Sequence, residues 1–259
     1  MSQDRYIINS VLRAAQVLES FSEEKGAYTN AELAIKLGLN KSTMTRLLYS
    51  LEKAGFLIRD PKTKEYALTH RLFRIGNVYI NQVDLHQEST SLLHELALSC
   101  KETVHLAILH GFEVFYLHKV EGPQSIRMTS GVGITAPAYC TGVGKTLLAY
   151  FSQDDLDRFL EKVPLERYTP NTLCDSDALR LELARIRERG YALDDSEHEH
   201  DVKCVAAPIH DRYGDVVAAI SMAAPGFRMV REKIENEFIP AVTQTAKEVS
   251  RRLGYTGNR

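Results

Sequence analysis

Residues 29–68 constrain this chain most, because several local folding signals follow one another there at fixed spacing. Thr29-Asn30-Ala31-Glu32 has the form of a capping box, in which hydroxyl and carboxylate each satisfy an amide left open at a helix start. The pattern predicts a short helix from there to about Leu37. Gly38 tolerates positive φ and supplies a turn. Asn40 is a good N-cap for a second helix that runs to Gly55, a C′ glycine. Met44, Leu47, Leu48 and Leu51 form that helix's apolar stripe. Two strand-like runs follow, FLIR (56–59) and KEYAL (64–68), joined by the turn residues Asp60-Pro61-Lys62-Thr63. Helix, tight turn, helix and hairpin in this order predict a winged helix-turn-helix.

The flanking sequence divides the rest. Residues 6–23 carry apolar positions at helical spacing, with a polar break at 23–28. Residues 70–86 repeat the helical pattern as a connecting helix, and the polar HQEST at 86–90 is expected to mark a boundary. Beyond it, residues 88–100 and 176–190 read as helices. Residues 102–109, 113–120, 125–129 and the runs YALDD (191–195), CVAAPIHD and VVAAISMAA read as strands. A loop is expected over 131–141, a helix at GKTLLAYF, and a last helix over 229–253. Strands with hairpin-like neighbours among helices predict a mixed α+β fold around one antiparallel sheet. The expected organisation is a DNA-binding domain at 1–70, a linker helix at 71–87 and a second domain at 88–259.

Charge points the same way. Residues 1–75 hold 12 Lys or Arg against 8 Asp or Glu, while the remainder holds 20 against 26. A basic end on an acidic body fits a polyanion-binding module joined to a domain with another task. The start of the second helix offers Lys41, Ser42, Thr43, Thr45 and Arg46, where a recognition helix meets base edges. Lys62 and Lys64 at the hairpin tip and Arg13 near the N-terminus are candidate phosphate contacts. The competing reading of the same residues is a helical bundle with a solvated basic face. The opening residues have no apolar signal-peptide core, and no run approaches the ~18 apolar residues of a membrane helix. A cytoplasmic protein with no membrane partner is expected.

Gly142-Val143-Gly144-Lys145-Thr146 is not a P-loop, since Tyr139 stands where its first glycine is required; Lys145 is expected as a surface or capping residue at the helix start. Glu197-His198-Glu199-His200 is rich in ligand types. Cys140, Asp194, His198 and Cys204 make a candidate Zn²⁺ set if their loops meet. The four cysteines form no C-x-x-C pair and read as free thiols. No nucleophile elbow or coherent nucleophile–base set is present, so no enzyme and no required cofactor are expected. The rival reading is a small-molecule enzyme or sensor whose N-terminal domain serves protein contacts.

The long motifs resemble the isocitrate lyase regulator (IclR) family of bacterial transcriptional regulators. SVLRAAQVLESF and TNAELAIKLGLNKSTMTRLLYSLEKAGFLIRD resemble its winged-helix domain, GITAPAYCTGVGKTLLA its effector-loop motif, and RGYALDD…VKCVAAPIHDRYGDVVAAISMAAP its C-terminal signature. The resemblance implies a GAF-like effector-binding domain, dimers or tetramers, and binding to near-palindromic promoter DNA modulated by a small organic acid. It further implies that Gly142, Val143, Asp194, Cys204 and Ser221 are polar pocket positions and that Met128, Ala136 and Val202 are apolar ones. One position departs: Ala223 stands where members that bind small keto acids carry a second serine. That leaves room for a more apolar acid, including an aromatic one.

Overall fold

Helix α1 (Asn9–Glu19) opens the chain in a computed structural model that describes residues 7–22, 25–75, 84–124 and 131–257. The chain divides into two units, residues 1–82 and 83–259. In the first, β1 (Ala27–Tyr28) leads into α2 (Asn30–Lys36). The capping box forms in both directions: Glu32 N–H donates to the Thr29 hydroxyl at 3.3 Å, and Thr29 N–H donates to the Glu32 carboxylate at 2.8 Å. Gly38 turns the chain at φ +63°. The side chain of Asn40 accepts the Thr43 amide and starts α3 (Lys41–Lys53), and Gly55 follows that helix at φ +77°.

The hairpin is β2 (Leu57–Arg59) and β3 (Tyr66–Leu68), with Ile58 opposite Ala67. β1 pairs with the other edge of β3, Tyr28 opposite Tyr66. The expected polar break therefore ends in a strand. Tyr28 is buried, with its ring edge-on to Phe21 and the Lys25 and Lys36 ammoniums over it. Val17, Leu33, Met44, Leu48 and Leu57 fill the small core. Residues 70–75 are helical; the rest of the expected linker helix, 76–83, lies outside the described residues.

The second unit begins with α4 (Asp84–Cys100). The expected break at 86–90 is a correction, because α4 runs straight through it. Ser89 is buried, and the Ser89 and Thr90 hydroxyls donate to the His86 carbonyl, as polar residues inside a helix do. The sheet consists of β4 (Thr103–His110), β5 (Glu113–Val120), β6 (Thr135–Pro137), β7 (Ala192–Asp195), β8 (Val202–His210) and β9 (Val216–Pro225). Its order is β6-β5-β4-β9-β8-β7, antiparallel throughout. The expected strand at 125–129 lies outside the described residues.

Helices cover both faces, the layering expected of a GAF-like domain. Val104, Leu106, Val205, Ala207 and Ile209 face α4 and α8 (Ile239–Arg252). Ala107, Ala206 and Ala219 face α5 (Gly142–Leu148), α6 (Gln153–Lys162) and α7 (Ser176–Arg189). α6 was not anticipated, although Ser152 caps it and Asp154 and Asp155 occupy its first turn. The last helix also starts later than expected: 231–238 is a short helical piece followed by a π-helical turn.

α5 packs tightly on the loop that leads into it from β6. A Cβ on Gly144 would lie 2.2 Å from the Ala138 carbonyl oxygen and 2.5 Å from Ala138 Cα, both backbone atoms. Alanine is favoured over glycine in a helix by only about 1 kcal/mol, so the clash decides. Gly144→Ala should lower stability by roughly 3 kcal/mol or more, a fall of at least about 6 °C in Tm. Gly26→Ala, with nothing within 4 Å of the added Cβ, should leave Tm within about 2 °C. Calorimetry on the two variants checks both, and an unshifted Gly144→Ala would refute the packing.

Candidate functional site

The outer face of α3 is built by the same stripe that anchors it. With Met44, Leu47, Leu48 and Leu51 turned into the core, Lys41, Ser42, Thr45 and Arg46 stand exposed and Thr43 half-buried. Thr45 donates to the Lys41 carbonyl and accepts from the Asn30 amide at 2.9 Å, which ties α2 to α3. Ser42 donates to Asn40 Oδ1. Lys41 and Arg46 enter no ion pair among the described residues. At the hairpin tip the Asp60 carboxylate accepts the Lys62 and Thr63 amides at 2.6 and 3.0 Å, and Lys62 is exposed. Lys64 stands at φ +63° with its ammonium folded back to the Pro61 carbonyl. Arg13 is exposed on α1. Tyr49 is also exposed on α3, beyond the expected contacts.

The second site is a cleft of about 470 Å³, counting its open mouth, on the α5 side of the sheet. Register explains its floor. Asp194, Cys204 and Ala223 lie side by side on β7, β8 and β9, and the neighbouring row brings Ser221 beside His105 on β4. Thr141, Gly142 and Val143 at the start of α5 form one wall, and His198, Glu199 and Val202 the other. Of the eight expected pocket residues, six line it: Gly142, Val143, Asp194, Val202, Cys204 and Ser221. Ala136 does not; on edge strand β6, opposite Val114, it is buried in the core beneath α5. Met128 lies outside the described residues. His105, Tyr116, Thr141 and Glu199 line the cleft without having been anticipated. Period-two alternation from Ala107 could have pointed to His105; Tyr116 and Glu199 carried no local signal.

The base of the cleft is buried and carries an acid. Burial pushes the Asp194 carboxyl up to about 7, Glu197 adding to the rise while a bond from the Glu197 amide and the Lys145 ammonium oppose it. Burial pushes His105 down to about 3, with Lys119 adding to the fall, so its ring is neutral, tilted against Tyr116 at 5.2 Å. The Cys140 and Cys204 thiols are raised chiefly by burial and next by Asp194. Cys140, Asp194, His198 and Cys204 share this region, yet among the described residues no three His, Cys, Asp or Glu side chains are grouped to hold a metal. None of the four cysteines is disulfide-bonded.

Lys145, expected as a surface or capping residue at the helix start, lies within the helix capped by Thr141 and is almost wholly buried, 1% exposed. Its ammonium donates to the Leu193 carbonyl at 2.8 Å and to the Glu197 carboxylate. The reason is a partner 52 residues away that no local pattern reveals.

Comparison with known proteins settles the family. The IclR helix-turn-helix domain model matches residues 10–61, and the model of the bacterial transcriptional regulator IclR C-terminal domain matches residues 77–251. The chain belongs to the IclR family. It is 32% identical to the HTH-type transcriptional regulator KdgR of Escherichia coli K12, over 96% of this chain and 94% of that one. The crystal structure of Thermotoga maritima IclR superposes with a TM-score of 0.82 at 34% identity, covering 95% and 99% of the two chains. An IclR homologue from Microbacterium hydrocarbonoxydans, solved in complex with 4-hydroxybenzoate, gives 0.83 at 25% identity, covering 94% and 98%. This IclR-family chain is a DNA-binding transcriptional regulator, not an enzyme.

Asp194 makes the cleft sensitive to pH in a defined direction. Below about pH 4 the folded and unfolded states carry its proton alike; between about 4 and 7 only the folded state keeps it. The stability the group contributes therefore falls as pH rises through this window, by up to about 4 kcal/mol, and is constant above it. Asp194→Asn keeps an acceptor for the Glu197 amide and removes the titration. Urea unfolding at about pH 4 and about pH 8 should show the variant gaining on the parent at the higher pH; a difference that does not change with pH would rule out the raised carboxyl.

Proposed function

We propose that this regulator reads a near-palindromic operator as a dimer or tetramer in the bacterial cytoplasm, and that a small carboxylic acid in the β7–β9 cleft alters its hold on DNA. The observation that carries the effector reading is the convergence of six family-matched residues, from α5, β7, β8 and β9, on one cleft. The acid we favour is aromatic. Ala223 presents a methyl where a second serine would sit, and Tyr116, Val202 and a neutral His105 suit a ring better than a small keto acid. The homologue crystallised with 4-hydroxybenzoate supports the same class. A protonated Asp194 would donate to the ligand rather than repel it. Among the described residues no helix is long and apolar enough to cross a membrane. Self-association is supported by apolar side chains left in water at Ile8, Val11 and Leu12 on α1 and at Phe73 and Ile75. A two-fold dimer would present two copies of α3 to two half-sites, which is why a near-palindrome is expected.

Two experiments test the reading. Titration calorimetry with benzoate, 4-hydroxybenzoate, glyoxylate and pyruvate should show the aromatic acids binding at least about 10-fold tighter, roughly 1.4 kcal/mol. Ser221→Ala together with Asp194→Ala should weaken that binding while operator affinity without acid is retained; tighter binding of the keto acids would reverse the assignment of class. For DNA, salt-titrated binding to the region upstream of the protein's own gene should show a steep negative slope. Arg46→Ala should weaken specific binding about 10- to 100-fold, whereas Lys62→Ala should mainly reduce the salt slope by about 1. Arg46→Ala at full affinity would remove that residue from the base-reading set.

A further inference from the structure

We propose that the buried Lys145–Glu197 ion pair is a positioning device that fixes the acid-bearing wall of the cleft against α5 and thereby sets its affinity for ligand, an inference that rests on reading the cleft as the effector site. Neither residue lines the cleft. Lys145 sits one turn along α5 from Thr141, Gly142 and Val143, which do line it. Glu197 lies between Asp194, on the cleft floor, and His198 and Glu199, on its rim. The pair therefore joins the two walls from behind.

The turn it secures needs securing. Ser196 stands at φ +61°, a left-handed conformation that costs a non-glycine residue energy and persists only where its surroundings impose it. Those surroundings are visible. The Glu197 amide donates to Asp194 Oδ1 at 2.8 Å. Thr169 donates to the Ser196 carbonyl, Thr172 to the Glu197 carbonyl and Asn171 to the Asp195 carbonyl, at 2.6–2.7 Å. The Tyr168 ring meets His198 edge-on at 4.9 Å. Lys145 closes the set, donating to both ends of the turn, at the Leu193 carbonyl and the Glu197 carboxylate.

A buried ion pair is weak evidence for stability, because desolvation offsets attraction and apolar replacement of both partners is often neutral. Here the local network makes a geometric role more economical than an energetic one. Glu197 Oε2 has no hydrogen-bond partner among the described residues, so Lys145 carries most of what holds that carboxylate in place. Losing one partner alone would strand a charge in the core. The informative variant replaces both.

The test is the full-length Lys145→Met/Glu197→Leu protein beside the parent, with Glu197→Gln as a second variant should the double one not fold. Hydrogen exchange should quicken at least 10-fold over residues 194–199 while β4, β8 and β9 keep their protection. The Kd for 4-hydroxybenzoate should rise at least 10-fold while operator affinity without the acid is unchanged, a split that a general loss of structure would not produce. Unchanged exchange over 194–199 overturns the proposal. So does quickened exchange with an unchanged Kd, or a parallel loss of acid and DNA binding. If the parent binds none of the four acids above, the effector reading is what fails, and the exchange measurement alone then decides whether the pair holds the wall.

Discussion

Strands β4, β8 and β9 are buried on both faces, and side chains alternate between two cores along each of them. A slip of one residue would turn every one of those side chains to the opposite face. Register is therefore strongly specified, and the cleft follows from it. Asp194, Cys204 and Ala223 sit abreast only because β7, β8 and β9 pair as they do, and Ser221 meets His105 only because β9 pairs with β4. The polar residues of the site are exceptions within otherwise apolar strands. Their burial is what perturbs them: desolvation raises an acid and lowers a base.

The N-terminal unit solves a different problem. It has a small core, and much of its local definition comes from caps and turns: the reciprocal Thr29–Glu32 bonds, Asn40, Gly38, Gly55 and the Asp60 turn. Caps are worth roughly 1 kcal/mol each, a sizeable sum for a domain of this size. Because they are local, they leave Lys41 and Arg46 on the outer face of α3 free of structural duty. Lys41 and Arg46 carry no ion pair among the described residues, whereas Thr45 and Ser42 are partly occupied by bonds within the unit. In the proposed operator complex, reading of bases would therefore fall more naturally to Arg46 than to the hydroxyls.

This contrast explains what was legible in the sequence. α2, α3, the hairpin and α7 are specified by residues three or four apart, and each was found within a few positions. β1 was missed because two residues, Ala27 and Tyr28, become a strand only through pairing with β3 some forty positions later. HQEST looked like a boundary because polar composition does not reveal that Ser89 and Thr90 return their hydroxyls to their own helix. Lys145 looked like a surface residue because lysine usually is one; its burial depends on Glu197, which the fold brings to it. In the cleft, the residues recovered were those within long family motifs. His105, Tyr116 and Glu199 enter through sheet pairing and loop placement, which no single segment encodes.

A ligand in the cleft can act on DNA binding only through a difference in its affinity for two arrangements of the protein. The geometry of the second unit narrows where that difference can be carried within one chain. The cleft opens on the α5 face of the sheet, while α4, the first element after the N-terminal unit, packs on the opposite face. β4, β8 and β9 are shared by both sides, so under the proposed mechanism a displacement at Cys204 or Ser221 would pass toward α4 through strands packed too closely to deform continuously. Small residues dominate that route: Ala107, Ala206, Ala207, Ala218 and Ala219 are all buried there. A sheet centre built from alanines lets the helices of both faces approach closely, so a shift on one side has little slack in which to be absorbed before it meets the other.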